Sequence, residues 1–329
     1  MNQRSDSIYQ RNEALIIINP VAHNVPGQRR MEDIYLWLQS EGWKVSWEQT
    51  TRRGDAIAIA ARAADRRVPL VMACGGDGTL NEVANGLAES ETTLGMIPGG
   101  TSNLWAREVG LDKGPAEAVR LMVQGERRRV DLGRTGDRYF LLLAGFGVDA
   151  AVTRHVPLGI KDRVGAAAYG LSAVREALRW RTIRATVRMD GVEREVDFLM
   201  ALAGNTRLYA GITRVTPTAM VDDGKLDVCV YQGSGRRDII LHSMRTLARI
   251  HRKSPKVLYR RVRKVEFQWE EPVPVQVDGD PLDYCPNEAV VCPGALWVAV
   301  PAGLKSPLFL PREIPRQRAE LTLSRQGTG

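Results

Sequence analysis

The sequence has few of the features that mark membrane-spanning, secreted and cysteine-ligated metal proteins. No apolar run in its 329 residues approaches the roughly 20 residues that a membrane-spanning helix needs. The N-terminal stretch MNQRSDSIYQRNE contains no apolar segment, so we do not expect a secretory signal there. The four cysteines, Cys74, Cys229, Cys285 and Cys292, show no CxxC or other metal-ligand spacing. We therefore expect free thiols, a cytoplasmic protein, and membrane contact that is peripheral.

What the chain does have is the composition of a globular protein with an excess of positive charge. Hydrophobic residues make up 44% of it and charged residues 26%, and its length suffices for one large or two modest domains. The formal net charge is +8. Such an excess suggests an anionic partner, but it does not choose among a nucleotide, a membrane surface and a nucleic acid.

Residues 1–128 alternate between strand-like and helix-like patterns. Unbroken apolar runs, such as ALIIIN and LVMAC, predict buried parallel strands, and helical periodicity follows them. This alternation predicts an α/β domain with a parallel sheet. Ligands of such sheets bind beyond the carboxyl ends of the strands, which is where Asn19, Thr50, Asp77 and Thr101 lie. Each could be an ordinary loop residue, but their coincidence favours a nucleotide site.

Residues 129–304 have mainly strand-like patterns. The pair Asp190-Gly191 lies between two such runs and predicts a β-hairpin. Helical patterns are found at 164–179 and 238–251. This half is predicted to form a mainly antiparallel β-sandwich domain. The stretch 305–329 either returns to the first domain or, from Arg312 onward, is disordered.

Two glycine-rich turns that follow apolar strands, GGDGT at 75–79 and PGGT at 98–101, are the most informative feature. Glycines can adopt positive φ and let a phosphate approach the main chain, and the helix that follows offers free N–H groups. Thr79 and Glu82 have the spacing of a capping box. One such turn alone would indicate only a tight strand-to-helix connection. Two of them, one with an aspartate between glycines, favour phosphate binding.

The segments GGDGTLNEVANGL and IPGGTSN, together with Asn19-Pro20, resemble the diacylglycerol kinase catalytic domain of bacterial lipid kinases, which are related to sphingosine and ceramide kinases. The resemblance covers nearly the whole chain. It implies an NAD kinase-like first domain, a second domain that binds the lipid, and use of ATP with Mg²⁺. The residues that it implies for nucleotide binding are Asn19, Thr50, Gly75, Gly76, Asp77, Gly78, Thr79, Leu80, Asn81, Glu82, Thr101 and Asn103.

The same resemblance assigns two catalytic carboxylates. Asp77 would lie beside the phosphates and their metal ion. Asp280, the last residue of VDGD, would be the general base for the lipid hydroxyl, although many members have glutamate there. Spacing alone would interpret DGD as a hairpin turn.

A structural Mg²⁺ site is also implied at MVDDGK, through the side chain of Asp223 and the backbone carbonyls of Met220 and Lys225. A plain turn before the next strand is the competing interpretation. Asp131 matches a further aspartate of the family's polar network.

Three functions stay open at this point: an ATP-dependent lipid kinase, an NAD kinase-like enzyme, and a catalytically impaired relative that binds nucleotide or anionic lipid. IPGGTSN favours the first, whereas Leu104, where the family usually has an acidic residue, keeps the third open. The expected partner is a lipid at a membrane surface rather than a nucleic acid. A homodimer also stays open.

Overall fold

The computed structural model of the chain describes residues 11–155, 177 and 179–311. The helix predicted at 164–179 therefore lies almost entirely outside the described residues, and so does the chain from Arg312 onward. Within the described ranges, an α/β part is followed by a β-rich part.

The α/β part contains four parallel strands in the order β2-β1-β3-β4, each followed by one or more helices. The strands are β1 (Glu13–Ile18), β2 (Lys44–Gln49), β3 (Leu70–Gly75) and β4 (Thr93–Pro98). The helices are α1 (Gln28–Ser40), α2 (Asp55–Asp65), α3 (Asp77–Leu87), α4 (Leu104–Val109) and α5 (Pro115–Val123). Every residue of β3 and β4 is buried, which explains their unbroken apolar sequence. The predicted α/β domain with a parallel sheet is confirmed.

The β-rich part is mainly antiparallel, and the prediction of a sandwich-type second domain is confirmed. Its strands are β5 (Glu126–Thr135), β6 (Arg138–Phe140), β7 (Leu143–Gly147), β8 (Ile183–Met189), β9 (Val192–Gly204), β10 (Leu208–Tyr209), β11 (Thr213–Arg214), β12 (Leu226–Gln232), β13 (Val257–Val262), β14 (Lys264–Trp269), β15 (Val275–Val277), β16 (Asp280–Pro281) and β17 (Glu288–Val300). Its described helices are α6 (Val148–His155), α7 (Arg236–Leu247) and the 3₁₀ turn His251–Lys253.

Both Asp-Gly hairpins form as the sequence predicts. Asp190 and Gly191 have φ values of 46° and 85°, and Met189 pairs with Val192. Positive φ at both central positions is the geometry of a type I′ turn, which matches the twist of the flanking strands. The turn at 278–279 has the same geometry, with φ values of 49° and 90°.

Strand β17 joins the two parts into one hydrogen-bonded sheet. Its first residues pair with β14, and Trp297 and Val298 pair in parallel with β4. The strand is continuous from Glu288 to Val300, with a register shift between Cys292 and Leu296 opposite β5. The boundary expected at residue 128 falls inside β5. Beyond β17, the buried side chains of Leu308 and Phe309 pack in the core of the α/β part.

Candidate active site

The two glycine loops lie against each other at the carboxyl ends of β3 and β4. Gly99 N donates a hydrogen bond to the Gly75 carbonyl oxygen at 2.8 Å. A Cβ added at Gly100 would lie 2.5 Å from the Gly76 Cα, so a side chain there would collide with the other loop. None of the five glycines of these two loops has a positive φ, so the expectation that they need one is wrong. The residue in the left-handed region is Asn103, with φ of 44°. Close backbone approach, rather than unusual dihedral angles, therefore explains the glycines.

Helix α3 begins at Asp77, directly behind the first loop. No side chain of the described chain caps this end, so the predicted capping box is wrong. The hydroxyl of Thr79 instead accepts a hydrogen bond from Asn19 Nδ2 at 2.9 Å, and Glu82 Oε1 accepts one from Gly54 N at 3.0 Å. First-turn N–H groups have no partner within a helix, and with the helix dipole they can bind an anion such as phosphate.

Asp77 connects the first glycine loop to the helix that follows the second. Its Oδ2 accepts a hydrogen bond from Leu104 N at 3.0 Å, and its Oδ1 accepts a longer one from Trp105 N at 3.4 Å. Burial raises the pKa of the Asp77 carboxyl against the opposing effect of these bonds. Leu104, which replaces the acidic residue usual in the family, buries its side chain in the core. Its backbone N–H still donates to Asp77.

The loop after β2 is brought to the same edge of the sheet. Thr50 N donates to the Ile18 carbonyl oxygen at 2.9 Å, which fixes the end of β2 beside β1. Asp55, which our sequence analysis missed, accepts hydrogen bonds at Oδ2 from Thr51 N, Thr51 Oγ1 and Arg52 N, at 2.8, 2.6 and 3.0 Å. These bonds lower the pKa of Asp55. An aspartate directly after a glycine at a helix start was the available signal.

In the second glycine loop, Asn103 organises the backbone while Thr101 is exposed. Asn103 Oδ1 accepts from Gly100 N at 2.9 Å, and its Nδ2 donates to the Gly100 carbonyl oxygen at 2.8 Å. Thr101 lies at the loop surface, where a ligand can reach it.

Two of the residues expected to bind nucleotide have other partners. Leu80 is buried in the core, and its N–H donates to the Gly76 carbonyl oxygen at 3.0 Å. Asn81 is also buried, and its Nδ2 donates to Asp278 Oδ2 at 2.7 Å and to the Tyr139 carbonyl oxygen at 3.0 Å. Both side chains are buried and have partners within the protein, and a nucleotide contact at these two residues stays a prediction.

Asp278, the first aspartate of VDGD, fastens the β-rich part to α3. Besides the bond from Asn81, its carboxylate accepts hydrogen bonds from the backbone N atoms of Leu141, Leu142 and Leu143 at 2.9, 2.9 and 2.8 Å. Burial nevertheless raises the pKa of Asp278 to about 6. The sequence could not reveal this role, because every partner is more than 130 residues away.

We expect Asp278→Asn to destabilise the protein and to change its pH dependence. An amide nitrogen cannot accept hydrogen bonds, and each buried donor left without a partner costs about 1–3 kcal/mol. In the native protein, the pKa of about 6 exceeds the ordinary value, so the contribution of Asp278 to stability is greatest below about pH 4 and declines as the pH rises through 6.

Urea unfolding between about pH 4 and pH 6.5 measures both effects. The free energy of unfolding should fall across this range more steeply for the native protein than for Asp278→Asn. The exposed Asp283→Asn is the control, and its slope should equal that of the native protein. Equal slopes for all three proteins would contradict the elevated pKa.

Asp280, the second aspartate of VDGD, faces the α/β part. Its Oδ2 lies 3.5 Å from Nη2 of Arg53, in the loop between β2 and α2. The preceding turn is held because Gln276 Oε1 accepts a hydrogen bond from Gly279 N at 2.7 Å. Gln276 Nε2 in turn donates to Asp149 Oδ2 at 2.7 Å, and the hydroxyl of Tyr209 donates to the same carboxylate.

Asp149 is a buried residue of this site that sequence reasoning missed. Burial raises the pKa of its carboxyl. A Cβ at Gly145 would lie 1.8 Å from Asp149 Oδ2, so the carboxylate occupies the space beside a glycine of β7. The carboxylate therefore positions the Asp280 turn through Gln276.

The structural Mg²⁺ implied at Asp223 stays a prediction, and the carboxylate has two partners within the chain. One carboxylate oxygen forms an ion pair with Arg261, and the other accepts a hydrogen bond from Lys225 N at 3.1 Å. A guanidinium therefore already balances the charge that a cation would balance. The nearby Asp131 is likewise engaged, by Gly224 N at 2.6 Å and Gly294 N at 2.7 Å. Within the described ranges, no cluster of three His, Cys, Asp or Glu side chains could hold a metal ion.

Comparisons with known proteins cover both parts of the chain. Residues 13–135 match the family model described as the diacylglycerol kinase catalytic domain, and residues 143–300 match the model of the YegS C-terminal NAD kinase beta sandwich-like domain. A protein of Chromohalobacter salexigens named "Probable lipid kinase YegS-like" is 32% identical over 79% of this chain and 84% of its own length. A diacylglycerol kinase of Staphylococcus saprophyticus is 31% identical over 82% and 89%.

The fold of the chain is also similar to that of a solved structure. The crystal structure of a diacylglycerol kinase from Bacillus anthracis str. Sterne matches with a TM-score of 0.73 and 25% identity, over 90% of this chain and 98% of that one. Separately, no helix among the described residues is both long and apolar enough to cross a membrane.

Proposed function

We propose, since this chain belongs to the diacylglycerol kinase family and is a lipid kinase, that it transfers the γ-phosphate of ATP to a hydroxyl of diacylglycerol or a related lipid. The observation that carries this proposal is the proximity of Asp280, in the β-rich part, to Arg53, in the α/β part. A carboxylate from the lipid-binding part thus faces the loops to which we assign the nucleotide.

The first half of the proposed reaction is the binding of the nucleotide phosphates. The main-chain N–H groups at the start of α3 would bind phosphate oxygens, and the tightly packed glycine loops leave the backbone accessible to them. Mg²⁺, brought with the nucleotide, would offset the phosphate charge, and Asp77 is the candidate carboxylate beside it.

The second half is the activation of the acceptor. A lipid hydroxyl is a poor nucleophile at neutral pH, and a carboxylate within hydrogen-bond reach can accept its proton as the bond to phosphorus forms. Asp280 is partly exposed, and the hydrogen bond that Gly279 N donates to Gln276 Oε1 holds its turn in place. Aspartate is one methylene shorter than the glutamate of many family members. We therefore propose that the fixed turn holds the Asp280 backbone close enough to the acceptor for the shorter side chain to reach it.

A transfer assay with radiolabelled ATP tests this proposal against the alternatives. Purified protein is offered diacylglycerol, a sphingoid base and NAD separately, and label should enter a lipid. Label in NAD alone would replace the proposal with an NAD kinase-like reaction. ATP binding without label in any acceptor would favour a catalytically impaired relative.

A further inference from the structure

Helix α7 in the β-rich part exposes apolar residues and buries polar ones. Ile240, Met244 and Leu247 follow one another at helical spacing on one face and are 47%, 62% and 61% exposed. The opposite face packs on the protein and contains the buried residues Ile239, His242 and Thr246. Two polar residues are thus buried while three aliphatic ones are exposed, which is unusual for a surface helix.

The inward face is held by specific hydrogen bonds, so the orientation of the helix is well determined. A ring nitrogen of His242, Nε2, is 2.8 Å from the Gln232 carbonyl oxygen, and the hydroxyls of Thr246 and Tyr231 are 3.0 Å apart. Rotation of the helix to bury its aliphatic side chains would break these bonds. The exposed apolar face is therefore a stable feature of the fold.

The apolar face continues beyond the helix on both sides. Ile250, which is 45% exposed, follows Leu247 by three residues. Ile212, which is 66% exposed, lies at the tip of the β10–β11 hairpin, and the neighbouring Thr213 Oγ1 donates to the Thr246 carbonyl oxygen at 2.8 Å. We call these five residues the α7 surface: Ile212, Ile240, Met244, Leu247 and Ile250. Exposed apolar side chains grouped in this way often mark an interaction site.

Most of the excess positive charge of the chain lies around this surface. Residues 236–256 contain seven Lys or Arg residues and one Asp, a net charge of +6 out of +8 for the whole chain. That aspartate, Asp238, forms an ion pair with Lys256 at 2.7 Å. The basic residues are Arg236, Arg237, Arg245, Arg249, Arg252, Lys253 and Lys256.

The same hairpin connects the α7 surface to the proposed active site. Arg107 Nη1, in α4 behind the second glycine loop, donates to the Gly211 carbonyl oxygen at 3.2 Å. At the base of the hairpin, Tyr209 contacts Asp149, which is joined to the Asp280 turn through Gln276. The α7 surface is therefore connected by direct contacts to the residues that we propose act on the lipid.

We propose that the α7 surface docks the protein on an anionic lipid surface, with its aliphatic side chains inserted among the acyl chains and its basic residues beside the headgroups. The combination of an exposed apolar face and flanking Lys and Arg residues is the pattern of interfacial helices. Charge complementarity favours a lipid surface over a second copy of this chain, because two copies would bring like charges together. Docking would bring the enzyme to its lipid substrate, and this role rests on the proposed lipid-kinase function.

Sedimentation with vesicles, in the absence of ATP, tests the docking. The probes are vesicles of phosphatidylglycerol with phosphatidylcholine, and vesicles of phosphatidylcholine alone. We expect the full-length variant Met244→Ser/Leu247→Ser to bind the anionic vesicles at least about tenfold more weakly than the native protein. Arg237→Gln/Lys253→Gln should lose affinity for the anionic vesicles only. Native binding should weaken with salt, because exposed charges are screened over about 8 Å at physiological ionic strength.

Leu36→Ser is the matched control, because Leu36 is 60% exposed on α1, a helix with equal numbers of basic and acidic residues. It should bind vesicles like the native protein, and thermal unfolding should show that all variants are folded. Unchanged anionic-vesicle binding by the serine double variant would overturn the proposal. So would a native dimer that this variant converts to a monomer with its vesicle affinity intact, since the surface would then join two copies.

Turnover of a short-chain, water-dispersed diacylglycerol separates this proposal from the lipid-kinase function. The serine double variant should phosphorylate it at the native rate, because no vesicle is involved. If the native protein fails to phosphorylate it yet binds anionic vesicles through α7, the substrate assignment fails and the docking surface stands.

Discussion

Asp280→Asn is expected to lower lipid phosphorylation by about 10²–10⁴-fold, the usual contribution of a general base. The amide keeps the shape of the carboxylate but cannot accept the proton of the hydroxyl. ATP affinity should change little, because Asp280 lies outside the glycine loops and α3, to which we assign the phosphates. Steady-state turnover, together with equilibrium binding of an ATP analogue, measures the two quantities separately.

Two further variants sharpen this test. Asp280→Glu should retain activity if reach is the only difference from the glutamate found in many family members. Asp283→Asn removes an exposed carboxylate three residues away and should behave like the native enzyme. An Asp280→Asn protein that works at the native rate would show that the second aspartate of VDGD only forms a turn.

Asp77→Ala is expected to abolish nucleotide-dependent turnover while the protein stays folded. The alanine removes the acceptor for Leu104 N and so frees the start of α4 and the second glycine loop. Loss of a side-chain acceptor at a helix start typically costs about 0.5–2 kcal/mol, which is well below the roughly 5–15 kcal/mol that stabilises a typical domain. Turnover and thermal unfolding of the same preparation test both statements.

Asp77→Asn separates the two roles that Asp77 combines. Its amide oxygen can still accept a hydrogen bond from Leu104 N, but the side chain has no negative charge to attract the metal ion that would accompany the phosphates. We expect it to be nearly as inactive as the alanine variant yet as stable as the native protein. Recovery of turnover in Asp77→Asn would indicate that only the hydrogen bond matters. Undiminished turnover in folded Asp77→Ala would refute a catalytic role altogether.

Local pattern alone determined the strands of the α/β part and the two type I′ hairpins. Unbroken apolar runs can only be buried strands or short helices, and Asp-Gly between alternating segments selects one turn geometry. The order of glycines and aspartate likewise located the end of the sheet to which we assign the phosphates, because each loop lies directly after its strand.

Tertiary contacts decided what each residue at that end does. Within DGD, two aspartates separated by one glycine have opposite roles, because Asp278 meets the backbone at Leu141–Leu143 whereas Asp280 faces Arg53. The glycines of the two loops are required by each other, and Asp223 is paired with Arg261. No local pattern contains these partners.

The sequence also did not predict which face of α7 is exposed to solvent. Ile239 and Ile240 are adjacent and chemically identical, yet Ile239 is buried and Ile240 is exposed. Helical periodicity shows which residues share a face, but the partners of His242 and Thr246 on neighbouring elements determine which face turns inward. The physical reason is general: spacing along the chain specifies local geometry, whereas burial and charge pairing depend on residues that only folding brings together.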